Sequence, residues 1–134
     1  MQNISGIIYL ILIACLLPYV FTVIAKMAAG FKNKDNQNPR EFLAKSTGLA
    51  ARANAVQQNS FESLPLFIAA VLLAEYMVIP QSLVMSLGIA YLALRIIYGL
   101  CYLANWAMLR SVVWLLSMLC PIILLLTVIR LTVG

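Results

Sequence analysis

Four long apolar runs, separated by shorter polar connections, account for most of the chain. They cover Ile4–Ala29, Phe61–Ile79, Leu83–Leu103 and Val112–Val133. A helix that crosses the hydrocarbon core of a bilayer needs about 20 apolar residues, and each run is close to that length. The connections at 80–82 and 104–110 are short, so the helices they join must be antiparallel neighbours. The pattern predicts an all-α integral membrane protein, built as an up-down bundle of four transmembrane helices.

The first connection, about 30–58, is the long polar one, and it contains signals for further helix. Asn38 suits an N-cap, Pro39 the first helical position and Glu41 the third. We expect this short helix to end at Gly48, because glycine is common at helix C-termini. The next helix then begins near Leu49 and runs through the polar segment into the second apolar run.

Composition and charge support a membrane protein and give it an orientation. Of the 134 residues, 64% are apolar and 10% are charged, whereas a soluble domain has about 25% charged residues. The length predicts a single domain over 1–134. The net charge of +5 arises largely between Lys26 and Arg52, which indicates membrane topology and not a nucleic-acid partner. Positive residues favour the cytoplasmic side, so the first and third connections are predicted to be cytoplasmic and both termini external.

The residue inventory also excludes some chemistry. The chain has no histidine, which removes the commonest general base and metal ligand. Its three cysteines lie singly in apolar runs without metal-ligand spacing. We therefore predict no metal site, and we interpret the cysteines as small apolar residues.

A few polar residues lie inside or at the start of the apolar runs, and they recur at helical spacing. A charge in hydrocarbon costs at least about 2.5–3.5 kcal/mol, which makes such a residue a candidate functional residue. Separations of seven and three in one helix, and of three and four in the next, keep each set on one helix face. The two sets are Arg52, Asn59 and Glu62, and Arg95, Tyr98 and Tyr102.

Two interpretations of these residues remain open. In the first, Glu62 and Arg95 form a structural ion pair that fixes helix register, and the tyrosines form an interfacial belt. In the second, the residues line a pocket for a polar anion at the cytoplasmic end, with Arg52 and Arg110 at its rim. The two interpretations are compatible with each other.

The same residues resemble the MAPEG family, the membrane-associated proteins of eicosanoid and glutathione metabolism. One motif begins the second run, with Arg52 followed by Asn59, Glu62 and Pro65. The other motif is an arginine with two tyrosines, followed by a basic residue: Arg95, Tyr98, Tyr102 and Arg110. The resemblance covers most of the chain, and it is greatest to the small bacterial members.

The resemblance implies a homotrimer in the bacterial inner membrane, with glutathione as co-substrate at cytoplasm-facing sites between subunits. It implies that Arg110 is catalytic and stabilises the glutathione thiolate. It also implies six glutathione-binding residues: Arg52, Asn59, Glu62, Arg95, Tyr98 and Tyr102. The expected activity is a glutathione-dependent transferase or peroxidase acting on lipophilic electrophiles or lipid hydroperoxides, with the termini in the periplasm and membrane lipids as surroundings.

The chain departs from the family pattern at three positions. Arg110 follows Tyr102 one residue later than the corresponding arginine does in the leukotriene-forming synthase. Ala55 stands where the eukaryotic synthases have a second arginine, and Ala51 stands where the family has a glutamate. The alternative is therefore a non-catalytic protein of the same fold, which binds glutathione, lipid or another small anion. A purely structural subunit, in which the ion pair only specifies packing, is a third interpretation.

Overall fold

The computed structural model describes residues 4–134, and these form five α-helices and one short 3₁₀ turn. The first three residues of the predicted domain lie outside the described residues. The 3₁₀ turn, Asn33–Gln37, follows the first helix. The helices are α1, Ile4–Ala29; α2, Pro39–Ala44; α3, Gly48–Tyr76; α4, Gln81–Leu103; and α5, Ala107–Val133. The described residues therefore contain four long helices, and the first spans the same residues as the first predicted run.

Helices α1 and α4, which are separated in the chain by α3, run in the same direction. Leu10 of α1 contacts Gly88 of α4, and Phe21 contacts Gly99. Both helices therefore advance by 11 residues between the two contacts. A Cβ atom at Gly88 would lie 2.2 Å from Leu10 Cδ2, and one at Gly99 would lie 2.1 Å from Phe21 Cζ. Helices α1 and α4 are thus parallel and closely packed, while α3 packs against α1, α4 and α5. This is the predicted up-down arrangement.

The outer surface of the long helices is apolar. On α1, the exposed side chains include Ile8, Leu12, Leu16 and Val20, a face suited to lipid and not to water. Among the described helices, α1, α4 and α5 are long and apolar enough to cross a membrane. Helix α3 differs because its first half carries the polar residues of the first connection.

Within the described residues, three apolar clusters fill the interior, and the smallest consists of Ala25, Leu43 and Ala53. The largest one joins all four long helices and includes Leu10, Phe67, Tyr91 and Leu124. The second cluster lies toward the end of the bundle that carries α2, and consists of Phe21, Val56, Tyr98 and Val113. Because Arg95 is in α4 between Tyr91 and Tyr98, its side chain lies between the two larger clusters.

The first connection agrees with the predicted helix start but not with its end. Asn38 caps α2 by accepting a hydrogen bond from the Glu41 amide at 3.3 Å. Helix α2 ends at Ala44, before the predicted glycine. Gly48 instead begins α3, with a φ of 59°, a conformation that glycine adopts at little cost. The predicted C-terminal role of Gly48 is therefore wrong.

Two other boundaries differ from prediction. Helix α3 ends at Tyr76, before the end of the apolar run, because Val78 has a φ of 56° that stops the helix. Helix α5 begins at Ala107, after a turn in which Asn105 has a φ of 61°. Arg110 consequently lies in the first turn of α5 and not in the connection.

Candidate functional site

A buried arginine joins three helices near the end of the bundle that carries α2. Arg95 of α4 is only 1% exposed. Its Nη2 donates to Asn59 Oδ1 at 2.7 Å and to Ser60 Oγ at 3.1 Å, both in α3. Its Nη1 donates to Ser117 Oγ of α5 at 3.4 Å. We call Asn59, Ser60, Arg95 and Ser117 the polar layer.

The expected pair between Glu62 and Arg95 is absent from the structure. Within residues 4–134, the one ion pair joins Lys45 and Glu41, at 2.6 Å. Glu62 is exposed on α3, whereas the guanidinium of Arg95 faces the interior, so neutral oxygens surround the cation. The structural interpretation that relied on this ion pair is wrong for the single chain, although a buried polar link between the helices does exist.

A ladder of arginines and tyrosines leads from the polar layer toward the surface. Arg95 Cζ lies 4.3 Å from the ring centroid of Tyr98. The rings of Tyr98 and Tyr102 meet edge to face, with centroids 5.8 Å apart. Arg110 Cζ lies 4.3 Å from the ring centroid of Tyr102. Both cations are within the roughly 6 Å at which a ring face attracts a guanidinium, so each arginine holds one tyrosine.

The ladder forms one wall of an open groove of about 240 Å³. We call it the aromatic groove. Asn59 contributes from α3, the two tyrosines from α4, and the remaining residues from α5. Its lining residues are Asn59, Tyr98, Tyr102, Arg110, Ser111 and Trp114. Four residues that the sequence predicted for the site therefore lie together here, with Arg95 directly behind them.

Arg52 lies near the same end but contacts backbone. Its Nε donates to the carbonyl oxygen of Leu103 at 3.3 Å, and Leu103 is the last residue of α4. The last carbonyls of a helix lack partners within the helix and carry partial negative charge. Arg52 therefore caps α4 and links it to α3, next to the tyrosine ladder.

Glu62 lines a second cavity, and not the aromatic groove. This cavity lies between α2 and α3 and has a volume of about 510 Å³. Its lining is mostly polar: Arg40, Leu43, Asn54, Gln57, Gln58, Phe61 and Glu62. The structure thus separates Glu62 from Asn59, although the two residues are only three apart in α3.

Several residues of this region were not predicted from the sequence. Ser60 and Ser117 complete the shell of Arg95, and Ser63 Oγ bonds the Tyr91 hydroxyl at 2.7 Å. Trp114 suits a membrane interface by its residue type, and the structure places it in the lining of the groove. Ser117 did carry a signal, because it is a lone polar residue in the middle of an apolar run. Its partner was not recognisable, since the contact depends on how α5 packs against α4.

Two arginines are the nearest cations to the aromatic groove, and the carboxylate of Glu62 also acts electrostatically on Tyr98. Arg110 lines it and Arg95 lies behind it, while its lining includes no carboxylate. Guanidinium groups donate hydrogen bonds and do not accept them, and a cation at a partly buried wall attracts an anion more strongly than the same cation does in water. The groove is therefore suited to a small anionic ligand that accepts hydrogen bonds.

The fold and the site together define a class: a helical protein with membrane-length apolar helices and a groove of arginine and tyrosine at one end. The model of the MAPEG family matches residues 6–130. The chain belongs to the MAPEG family, and it is thus a membrane protein related to glutathione or eicosanoid metabolism. No curated protein and no solved structure matches the chain significantly.

Proposed function

We propose that the chain binds glutathione in the aromatic groove and uses its thiolate against lipophilic substrates. The observation that carries the proposal is the stacking of Arg110 on Tyr102, beside Asn59 and in a groove without a carboxylate. Glutathione is an anion with several acceptor oxygens, which suits this lining. The activity is that of a glutathione transferase or peroxidase.

Arg110 supplies the chemistry in this proposal. A thiol with a pKa near about 8.5 is mostly protonated at neutral pH, and the thiolate is the nucleophile. A guanidinium beside the sulfur favours the thiolate. The thiolate then forms a carbon–sulfur bond with an electrophile, which expels its leaving group. The apolar exterior of α4 and α5 would let such a substrate approach through lipid.

The proposal includes a homotrimer with both termini outside the cytoplasm and α3 as the fourth membrane span. Glu62 is exposed on α3 in the single chain, although it lies close to the start of the apolar run. An uncompensated carboxylate at such a position favours a covering partner. A neighbouring copy that covers Glu62 would bring the cavity between α2 and α3 into an intersubunit site.

The test is glutathione binding to the purified protein in detergent, measured by calorimetry together with the ultraviolet absorbance of the bound thiolate. We expect the wild-type protein to bind and to show the thiolate. Arg110→Met should lose the thiolate absorbance and weaken binding about tenfold, as for a lost hydrogen bond to a charged group. The matched control is Arg130→Met, because Arg130 is exposed in the last turn of the same helix. Absence of binding to the wild-type protein would refute the proposal.

The second candidate is a non-catalytic binding protein of the same fold. It is favoured by Ala51 and Ala55, which place methyl groups where the family pattern has charged residues. The same experiment separates the two candidates. Glutathione binding without thiolate absorbance, and without conjugation of a test electrophile, would favour the non-catalytic protein.

A further inference from the structure

We propose that Arg95 is a positioning residue, which fixes Asn59 and Tyr98 and so makes the aromatic groove selective for hydrogen-bond acceptors. This inference rests on the proposed function, because it concerns how the groove recognises its ligand. It replaces the sequence-based expectation that Arg95 contacts glutathione with an indirect role.

The burial of Arg95 argues for the indirect role. The side chain is 1% exposed, and its Nη atoms already donate to Asn59, Ser60 and Ser117. Asn59 and Tyr98 line the groove and both contact Arg95. Arg95 therefore lies one layer behind the groove, and a ligand in the groove meets Asn59 and Tyr98.

The bond from Arg95 decides which end of the Asn59 amide faces the ligand. A guanidinium has donors only, so the amide must turn its oxygen toward Arg95, where the distance is 2.7 Å. The NH₂ group is then the part of the amide left for the groove. The ligand atom that meets Asn59 must accept a hydrogen bond, which fits a carboxylate or carbonyl oxygen and excludes an ammonium group.

The same guanidinium supports the aromatic ladder. It lies against the Tyr98 ring, the Tyr98 ring contacts the Tyr102 ring, and the guanidinium of Arg110 lies over the Tyr102 ring. Loss of Arg95 would remove the innermost support of this series. We therefore expect its effect to reach Arg110 without any contact between the two arginines.

The planar guanidinium is needed for this role. It bonds side chains of α3 and α5 at once while its face lies on a ring. An ammonium group is a compact charge, so it cannot bond the side chains of two helices and also stack on a tyrosine ring. Arg95→Lys should therefore keep the charge and still lose the positioning.

The first experiment tests the Asn59–Arg95 link without any ligand. We would combine Asn59→Asp with Arg95→Met and measure the unfolding midpoint in detergent for the wild-type protein, both single variants and the double variant. We expect the aspartate to be tolerated beside Arg95 and to lower the midpoint when Arg95 is replaced, which is coupling between the two sites. Equal shifts of the midpoint in both backgrounds would overturn the inference.

The second experiment tests the indirect role in binding. Arg95→Met should weaken glutathione binding about tenfold in the wild-type background, but only about twofold when Asn59→Ala is already present. Arg95→Lys should bind as weakly as Arg95→Met. A direct contact predicts instead the same loss in both backgrounds and substantial recovery with lysine, and that result would overturn the inference. Arg130→Met is the control for removal of one arginine.

The two experiments separate this inference from the proposed function. If the wild-type protein binds no glutathione, the proposed function fails, and the unfolding experiment alone decides whether Arg95 positions Asn59. If glutathione binds but the effects on binding are additive, the proposed function stands and the positioning role is wrong. Asn59→Asp should also weaken glutathione binding more than Asn59→Ala, because it presents an acceptor where the ligand requires a donor.

Discussion

The packing of α1 on α4 gives a prediction that can be worked from distances. Gly99 faces the ring of Phe21, and a Cβ atom there would lie 2.1 Å from Cζ and 2.5 Å from Cε1. Phe21 is 4% exposed and belongs to the same apolar cluster as Tyr98. Gly99→Ala must therefore displace a rigid ring that supports the groove.

The magnitude follows from the overlap. Ordinary carbon contacts are about 3.5 Å or longer, so the ring must move by about 1.4 Å. Such overpacking costs about 1–3 kcal/mol, while alanine gains about 1 kcal/mol over glycine inside a helix. Gly6→Ala is the matched control, because among residues 4–134 its new Cβ atom would meet only the flexible end of Met85, at 3.3 Å. The helix gain is common to both variants, so their stabilities should differ by about 1–3 kcal/mol.

The assay is equilibrium unfolding in mixed detergent micelles, followed by circular dichroism. We expect Gly99→Ala to be less stable than Gly6→Ala, with Gly88→Ala between them because the Leu10 side chain has more rotamer freedom than a ring. Phe21→Leu combined with Gly99→Ala should recover part of the loss. If Gly99→Ala and Gly6→Ala were equally stable, the close approach of α1 and α4 would be wrong.

Two further predictions concern single hydrogen bonds. Ser63→Ala should destabilise the protein by about 1–3 kcal/mol, because the hydroxyl of Tyr91 is left buried without its partner at 2.7 Å. The double variant with Tyr91→Phe should be markedly more stable than Ser63→Ala alone in the same unfolding assay. A further loss of stability in the double variant would contradict this account. Lys45 donates a hydrogen bond to Glu41 and holds the pKa of that carboxyl below its usual range. A lowered folded-state pKa means that this stabilisation is present above the unfolded pKa and is lost as the pH falls through the folded one. The protection factors of the α2 amides, which are exchange rates corrected for the slower intrinsic exchange at low pH, should therefore fall in acid. Lys45→Met should raise the NMR titration midpoint of Glu41, and an unchanged midpoint would refute the link.

The sequence was sufficient for the helices because their signals are local. Membrane-length apolar runs predicted the long helices, and short connections predicted their alternating directions. Asn38 and Pro39 predicted the start of α2, since capping involves residues only a few positions apart. The end of α2 was wrong because Gly48 suits both a helix C-terminus and the start of a helix with positive φ.

Helical spacing also predicted that Arg95, Tyr98 and Tyr102 share a face, and the structure confirms this. Spacing could not assign the partner of Arg95. Glu62 and Asn59 differ by 60° around an α-helix, which has about 3.6 residues per turn, and the rotation of α3 against α4 turns only Asn59 inward. Opposite charge favoured Glu62 as the partner of Arg95 in the sequence. In the packed helices, Arg95 instead donates to the side-chain oxygens of Asn59, Ser60 and Ser117.

The sequence by itself determined the family, the membrane-length helices and the set of residues from which an anion site can be built. These depend on composition, periodicity and motif spacing, which are properties of one segment at a time. Tertiary structure alone decided that Arg95 is buried behind Asn59 and Tyr98, that Arg52 caps α4, and that Glu62 lies in a different cavity. Those outcomes depend on the rotation and separation of packed helices, which the close contacts at Gly88 and Gly99 help to set.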